Sequence, residues 1–483
     1  MKRFFTLSSI LLIASSFNLF GQQSITLNLD VQTTNRIPMA KIAKGENLTI
    51  TSITCDTHSQ KGFNYVLGAQ KEDGSDITID LSKVQEMPIS HNAYSKDSYW
   101  HYRSIQHTLP SLSGMHNAYA LRNKAENKAN EFVNLLKNNN LVIEDPFLTS
   151  YLNSMIVKIN PSQRLDFFKY NIRVVVVKDN EPNAGIYPNG ALLINAGILA
   201  RIHTEDELIA LLCHEANHFI CNHFLDNMAK IQKRETAGLI GSAILGTATG
   251  ILTGSASSGL KATSLALDIS SDLNKMITTM GLAFNQAQEK ECDQAAVDLL
   301  PILGYDVNAM ATSLKRIGDY FLEEGDLAAY YQSGNHPKIE DRIAATGVPY
   351  EKRDSTFEKK MAPCVTYVAQ ILYSKGRYSQ ALEYANQNIN NHAGRGMDYY
   401  IKGECLLATS DSYETNVEAR EAIIKARETY TDGLPSLKAQ IVADVRLGYA
   451  DEAKELLNKM MELTKDKEEE RIWAKNMLDN LSY

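Results

Sequence analysis

His214, Glu215 and His218 fall in the order His-Glu-x-x-His, a spacing that suits a metal ion and the activation of a water molecule. On a helix, residues at i and i+4 share one face, so both imidazoles project the same way. Their nitrogens can then meet one Zn²⁺ at about 2.0–2.1 Å. Glu215 lies beside them and can reach a water at the site without displacing a ligand. A catalytic zinc keeps one position open, brings the pKa of its water down to about 7 and polarises a carbonyl. The motif also arises by chance, where it means only two histidines on a helix surface, so its surroundings have to decide.

A third ligand is needed. His223 comes five residues after His218 with no glycine between them, so the metzincin pattern of a third histidine behind a glycine fails. It is expected to point around the helix from the metal, either supporting the ligands from behind or facing solvent. Glu289, in Glu289-Lys290-Glu291-Cys292-Asp293 ahead of the apolar stretch Ala295 to Leu300, can supply the ligand. Asp293, one turn later, can accept from the Nδ1–H of a ligating histidine and hold its tautomer.

These residues need a helix and a sheet to carry them. Thr204-Glu205-Asp206-Glu207 has capping-box spacing and opens a helix that carries Leu208, Leu211 and Leu212 into the histidine motif. Ile172 to Val177 and Ala191 to Asn195 read as strands, joined through the turn-rich link Pro182-Asn183-Ala184-Gly185. Further upstream, residues 24 to about 82 alternate apolar and polar, as in Ile25, Leu27, Leu29, Val31, then Leu48, Ile50 and Ile77, Ile79, Leu81. Lys71-Glu72-Asp73-Gly74 is turn material, and a charged helix is predicted from about 117 to 138.

With 483 residues, 44% hydrophobic and 22% charged, the chain can bury a large core in several domains. A net charge of -8 argues against nucleic acid as a partner, since phosphates demand a basic surplus. Lys2, Arg3 and the uncharged run Phe4 to Phe20, with Gly21 after it, read as an export signal over 1–21, the alternative being an uncleaved anchor. The protein is therefore expected outside the cytoplasm, most simply in a periplasm. Six cysteines include no C-x-x-C pair; a bridge between Cys364 and Cys405 is one option, while Cys213, Cys221 and Cys292 flank the metal motif as small hydrophobes.

Residues 236–260 hold no charge and six glycines, which leaves three readings: a membrane span, a flap that touches a membrane or covers the site, or a loop of small residues. The last 130 residues are helical in pattern. Ala381, Ala419 and Ala453, spaced by 38 and 34, follow Gly376-x-Tyr378 and Gly448-Tyr449 in a faint repeat. That period resembles tetratricopeptide repeats, which stack into partner-binding superhelices; a plain helical bundle is the alternative.

From about 145 to 345 the chain resembles the zinc endopeptidase family that includes the CAAX prenyl proteases, HtpX and the periplasmic BepA-type proteases. That family pairs His-Glu-x-x-His with a distant Glu-x-x-Ala-Asp, here Glu289-x-x-Cys292-Asp293, with cysteine at the alanine position. Asn183-Ala184 with Gly190 and Gly197-Ile198-Leu199 is similar to the strand along which a substrate peptide adds, and Gly304-Tyr305-Asp306, His336-Pro337 and Arg342 to the closing elements. The resemblance implies one Zn²⁺ per chain on His214, His218 and Glu289, with Glu215 as base. For His336 and Arg342 it leaves three readings: donors to an oxyanion, His336 as a latent-state occupant of the open zinc position, or a packed turn with Arg342 paired to an acid.

The expected fold is α+β: a mainly helical zincin-type domain with a small sheet over 106–350, a β-rich module over 22–105 before it, and helical repeats over 355–483 after it. The expected function is peptide-bond hydrolysis in exported or envelope proteins, with the repeats recruiting substrates or a membrane-protein partner and 236–260 gating access to the site or touching a membrane. The alternative is a latent or non-catalytic metal-binding adaptor.

Overall fold

The computed structural model describes residues 23–27, 31–32, 41–56, 64–80, 89–90, 96, 99–100, 103, 118–160, 171–228, 284–324, 338–429 and 433–481. The leader 1–21, the uncharged segment 236–260 and His336 lie outside the described residues.

Period-two alternation gives strands at the start of the chain: β1 (Gln23–Leu27), β2 (Val31–Gln32), β3 (Lys41–Ile42), β4 (Asn47–Asp56), β5 (Asn64–Lys71), β6 (Asp76–Asp80) and β7 (Ile89–Ser90). Five form an antiparallel sheet in the order β6-β5-β4-β1-β7, and β2 pairs with β3. Leu48, Ala69, Ile77 and Ile79 are buried. The predicted turn closes β5 onto β6: Gly74 takes φ 79 and its N–H reaches Lys71 O at 2.9 Å.

The middle of the chain is helical around a three-stranded sheet. Helix α1 (Ala118–Asn138) is followed by α2 (Pro146–Ile159), which Asp145 caps by accepting from Leu148 N at 3.0 Å. The strands β8 (Arg173–Val177), β9 (Ala184–Ile186) and β10 (Ala191–Asn195) lie in the order β8-β10-β9, with β10 parallel to β8 and antiparallel to β9. The stretch read from its composition as a turn-rich link thus carries an edge strand. β10 is paired to β8 on one side only, and its other row of backbone groups is satisfied by Ala184–Ile186.

After the short α3 (Ala196–Leu199) comes α4 (Glu205–Ile220), the central helix, buried from Glu207 to its end. Thr204 caps it, accepting from Glu207 N at 3.3 Å, and Glu207 reaches back to His203 N at 3.2 Å. Around α4 pack α2, β9, α5 (Gln286–Leu303) and α6 (Ala309–Glu323); α7 (Ile339–Thr346) packs against α5 and α6. Helix α5 opens on a capping box of Asn285 and Gln288 and stops at Gly304, φ 81.

Among the described residues eight helices follow: α8 (Ser355–Lys360), α9 (Ala362–Ser374), α10 (Tyr378–Asn390), α11 (Gly396–Thr409), α12 (Tyr413–Thr429), α13 (Gly433–Arg446), α14 (Ala450–Leu463) and α15 (Glu468–Asn480). From α9 onwards, each packs on the next. Ala381, Ala419 and Ala453 sit on α10, α12 and α14 and are all fully buried. Cys364 and Cys405 share one hydrophobic core as free thiols, so the optional bridge is not made. That core also holds Leu208–Cys213 of α4, Leu299 of α5 and Val365, Val368 and Leu372 of α9, so the first tail helices grow out of the middle domain. Tyr367 Oη donates to Lys178 O at 2.7 Å, and Arg395 pairs with Asp145 at 2.9 Å across the same join. Among the described residues, no helix is long and apolar enough to cross a membrane.

Candidate metal centre

Helix α4 turns His214 and His218 toward the first turn of α5, where Glu289 stands. The two Nε2 atoms lie 3.3 Å apart. Glu289 Oε2 is 3.8 Å from His214 Nε2 and Glu289 Oε1 is 3.5 Å from His218 Nε2. Two ligands of a tetrahedral zinc, each about 2.05 Å from the ion, are about 3.3 Å apart. The donor set therefore fits that ion closely. Charge agrees with spacing: Glu215, Glu289 and Asp293 are buried carboxylates, and among the described residues the buried cation paired with Glu289 and Asp293 is Arg342. A divalent cation would balance the excess that burial otherwise penalises.

Each ligand is held from behind. His214 Nδ1 is 2.9 Å from Asp293 Oδ1, and Asp293 in turn accepts two bonds from Arg342, at 2.8 Å from Nε and 2.7 Å from Nη2. The third nitrogen, Arg342 Nη1, is 3.4 Å from Glu289 Oε2. Burial works against ionising Asp293, yet the Arg342 charge outweighs it and holds the carboxyl below its usual range. His214 is pulled the other way: burial opposes its charging, but Asp293 raises its pKa. On the far side, His218 Nδ1 is 3.0 Å from His223 Nδ1, and the Phe284 ring stacks on His218 with centroids 3.8 Å apart. Burial pushes His218 down to about 3, so its ring is neutral and its lone pair is available.

Glu215 faces the sheet. Its Oε2 accepts from Ile186 N of β9 at 3.1 Å. Burial pushes its carboxyl up to about 7, with Glu289 adding to the rise and His214 opposing it. Asn195 N and Tyr187 N both serve the β10–β9 ladder; backbone direction alternates along a strand, so the amides of Ala184 and Ile186 turn to the other edge, over α4.

The residues singled out in the sequence thus come together at His214, Glu215, His218, Glu289, Asp293 and Arg342, with Ala184 on β9 and Asn183 just before it. Sequence reasoning missed Phe284, Glu291 and Arg103. Arg103 pairs with Glu291 and donates through Nε to Asn217 Oδ1 at 3.2 Å, while Asn217 Nδ2 reaches Cys292 Sγ at 3.1 Å. No local signal marks Arg103, which lies far from the motif in the chain. Among the described residues three groups bring metal-binding atoms within 4.8 Å of one another; besides His214, His218 and Glu289, they are His218, His223 and Cys292, and Cys221, His223 and Glu291.

Residues 145–347 match the model of Peptidase family M48. The chain carries a metalloprotease domain of that family. Among curated proteins, the beta-barrel assembly-enhancing protease of Escherichia coli strain K12 is 24% identical over 349 residues, covering 68% of this chain and 64% of the relative. A putative beta-barrel assembly-enhancing protease of Vibrio cholerae is 23% identical over 278 residues, 56% of this chain and 51% of the relative. The mitochondrial metalloendopeptidase OMA1 of Schizosaccharomyces pombe is 24% identical over 197 residues, 40% of this chain and 51% of the relative. The matches thus span between half and two thirds of the length of these relatives. Arg103 and the helices from α8 onward fall outside the segment matched to the M48 domain.

Proposed function

We propose that this protein is a zinc-dependent endopeptidase that cleaves extended segments of exported or envelope proteins. The convergence of His214, His218 and Glu289 carries this reading, with Glu215 between them and an edge strand. His214, His218 and Glu289 would hold Zn²⁺, which would supply Lewis-acid polarisation of a carbonyl and a lowered pKa for a bound water. Glu215, buried and with an affinity for protons near neutrality, is placed to accept a proton at its carboxylate and to return one to a leaving amine. Its bond to Ile186 N fixes the carboxylate against β9, so base and substrate strand share one frame. A peptide pairing with the outer edge at Ala184, beside Asn183, is extended as it passes the site.

Arg342, with Nε and Nη2 on Asp293, fits the acid-paired reading: it orients His214 through Asp293 instead of meeting an oxyanion. The names of the bacterial relatives support a role in quality control of envelope proteins, and the apolar run behind Lys2 and Arg3 supports export. The tail helices are proposed to recruit substrates or an assembly partner.

The test is zinc content together with casein cleavage of purified protein. One zinc per chain is expected, with cleavage lost on chelation and regained with zinc, and both lost in His218→Ala. Zinc without cleavage in the parent would favour the latent adaptor instead. Absence of zinc would refute the reading.

A further inference from the structure

His223 is the residue near the centre that the mechanism above leaves unused. It is buried, and its Nδ1 lies 3.0 Å from the Nδ1 of His218. Two imidazole nitrogens at that distance share one proton, so one donates and the other accepts. When His218 uses Nε2 toward the metal, its own Nδ1 bears the hydrogen and donates. His223 must then accept through Nδ1 and carry its proton on Nε2. That atom faces Glu291 Oε2 at 3.6 Å. Glu291 is paired with Arg103, whose Nε is also bonded to Asn217 Oδ1 on α4. Phe284 covers the assembly, stacked on His218 and with its ring edge-on to His223 at 6.2 Å.

The two ligand histidines are therefore supported differently. His214 has the usual carboxylate partner, Asp293, anchored by Arg342. His218 has a histidine partner, with the carboxylate one place further back and its anchor drawn from outside the segment matched to the peptidase family. The alternative use of His223, as a ligand to a second ion with Cys221 and Glu291, meets an obstacle in Arg103, whose charge already neutralises Glu291.

We propose that His223 is a positioning residue that accepts from His218 Nδ1, fixes the tautomer and orientation of that ligand, and is itself held by the Glu291–Arg103 pair. The proposal rests on the reading of His214, His218 and Glu289 as the metal site.

The experiment measures zinc affinity by chelator competition, and the visible spectrum of the cobalt-substituted protein, for the parent, His223→Phe and His223→Gln. Phe fills the space without an acceptor; the Gln amide oxygen can still accept from His218. A loss of about 10- to 100-fold in zinc affinity is expected for His223→Phe, the usual range for removing such a partner. A shifted cobalt spectrum should accompany it, and His223→Gln should recover most of both. Parent affinity and spectrum in His223→Phe would overturn the proposal. So would equal losses in both variants with a lowered melting temperature of the metal-free protein, which mark a purely structural role. Two zinc ions per parent chain would make His223 a ligand and overturn it too. A parent that binds no zinc removes the metal-site reading first and this proposal with it, an outcome separate from the others.

Discussion

Replacing Glu215 by Gln separates the chemistry of the centre from its construction. The variant keeps the volume and an acceptor for Ile186 N, and it leaves His214, His218 and Glu289 untouched. Zinc content should stay at that of the parent. Cleavage should fall by at least about 100-fold, since a positioned general base is worth about 10²–10⁴ in rate. Stability gives a second readout with a definite sign. Burial raises the Glu215 carboxyl from 4.5 to about 7 in the folded chain, so the folded state holds this proton more tightly than the unfolded state does. Folding stability therefore falls as pH rises between those two values, and the whole penalty is present above the upper one. At about 1.4 kcal/mol per pH unit the gap amounts to about 3 kcal/mol as an upper figure. Metal-free Glu215→Gln should thus resist urea better than the metal-free parent at pH 8, by up to about 3 kcal/mol, and should match it near pH 4. Urea unfolding of chelator-treated protein, followed by circular dichroism at both pH values, checks this. A variant that still cleaves, or a stability difference that is the same at both pH values, would refute the assignment of Glu215 as a buried, proton-exchanging base.

Further outcomes follow from the packing. Gly197→Ala should be strongly destabilising, because the added Cβ would stand 2.1 Å from Asn180 O and 2.8 Å from Glu181 C, backbone atoms that cannot step aside; a loss of about 3 kcal/mol or more is expected in urea unfolding. Gly185→Ala on β9, with nothing within 4 Å, should unfold as the parent does. Removing residues 355–483 should give insoluble protein, whereas removing 411–483 should leave a soluble, zinc-binding chain, as size-exclusion chromatography and metal analysis would show. The first cut strips Val365, Val368 and Leu372 from the core they share with α4, and each such side chain is worth about 1.5–3 kcal/mol of burial. Their sum rivals the whole stability of a domain.

The parts of this site that were legible in the sequence are those set by local geometry. The cap at Thr204 and the helix behind it depend on neighbours within one turn, and the i, i+4 histidines need nothing else to share a face. Glu289 and Asp293 were legible for the same reason, as a pair one turn apart on α5. His223 shows where this logic stops. At about 100° per residue, five residues carry a side chain about 140° around a helix, away from His218. But α4 ends at Ile220, Asn222 takes a left-handed φ of 54, and the chain turns back so that His223 meets His218 from behind. Strand β9 was named only through the family resemblance at Asn183-Ala184 and not from its own residues, for a related reason: Ala184–Ile186 has no strand-like composition and is extended because β10 has a vacant side. Arg103 reaches Asn217 across 114 residues of chain, a contact no spacing rule contains.

The tail makes the same point on a larger scale. The period of Ala381, Ala419 and Ala453 could be read, and all three are buried. What the period does not name is the partner of the first apolar face, because a hydrophobic stripe specifies burial and not against what. Val365, Val368 and Leu372 resolve that by entering the core of the peptidase domain. The helices that follow are consequently stacked, each on the next, from the core that also holds α4, the helix of His214 and His218. Under the proposed recruiting role, a partner bound to the early tail helices would sit on elements packed into the core that α4 shares.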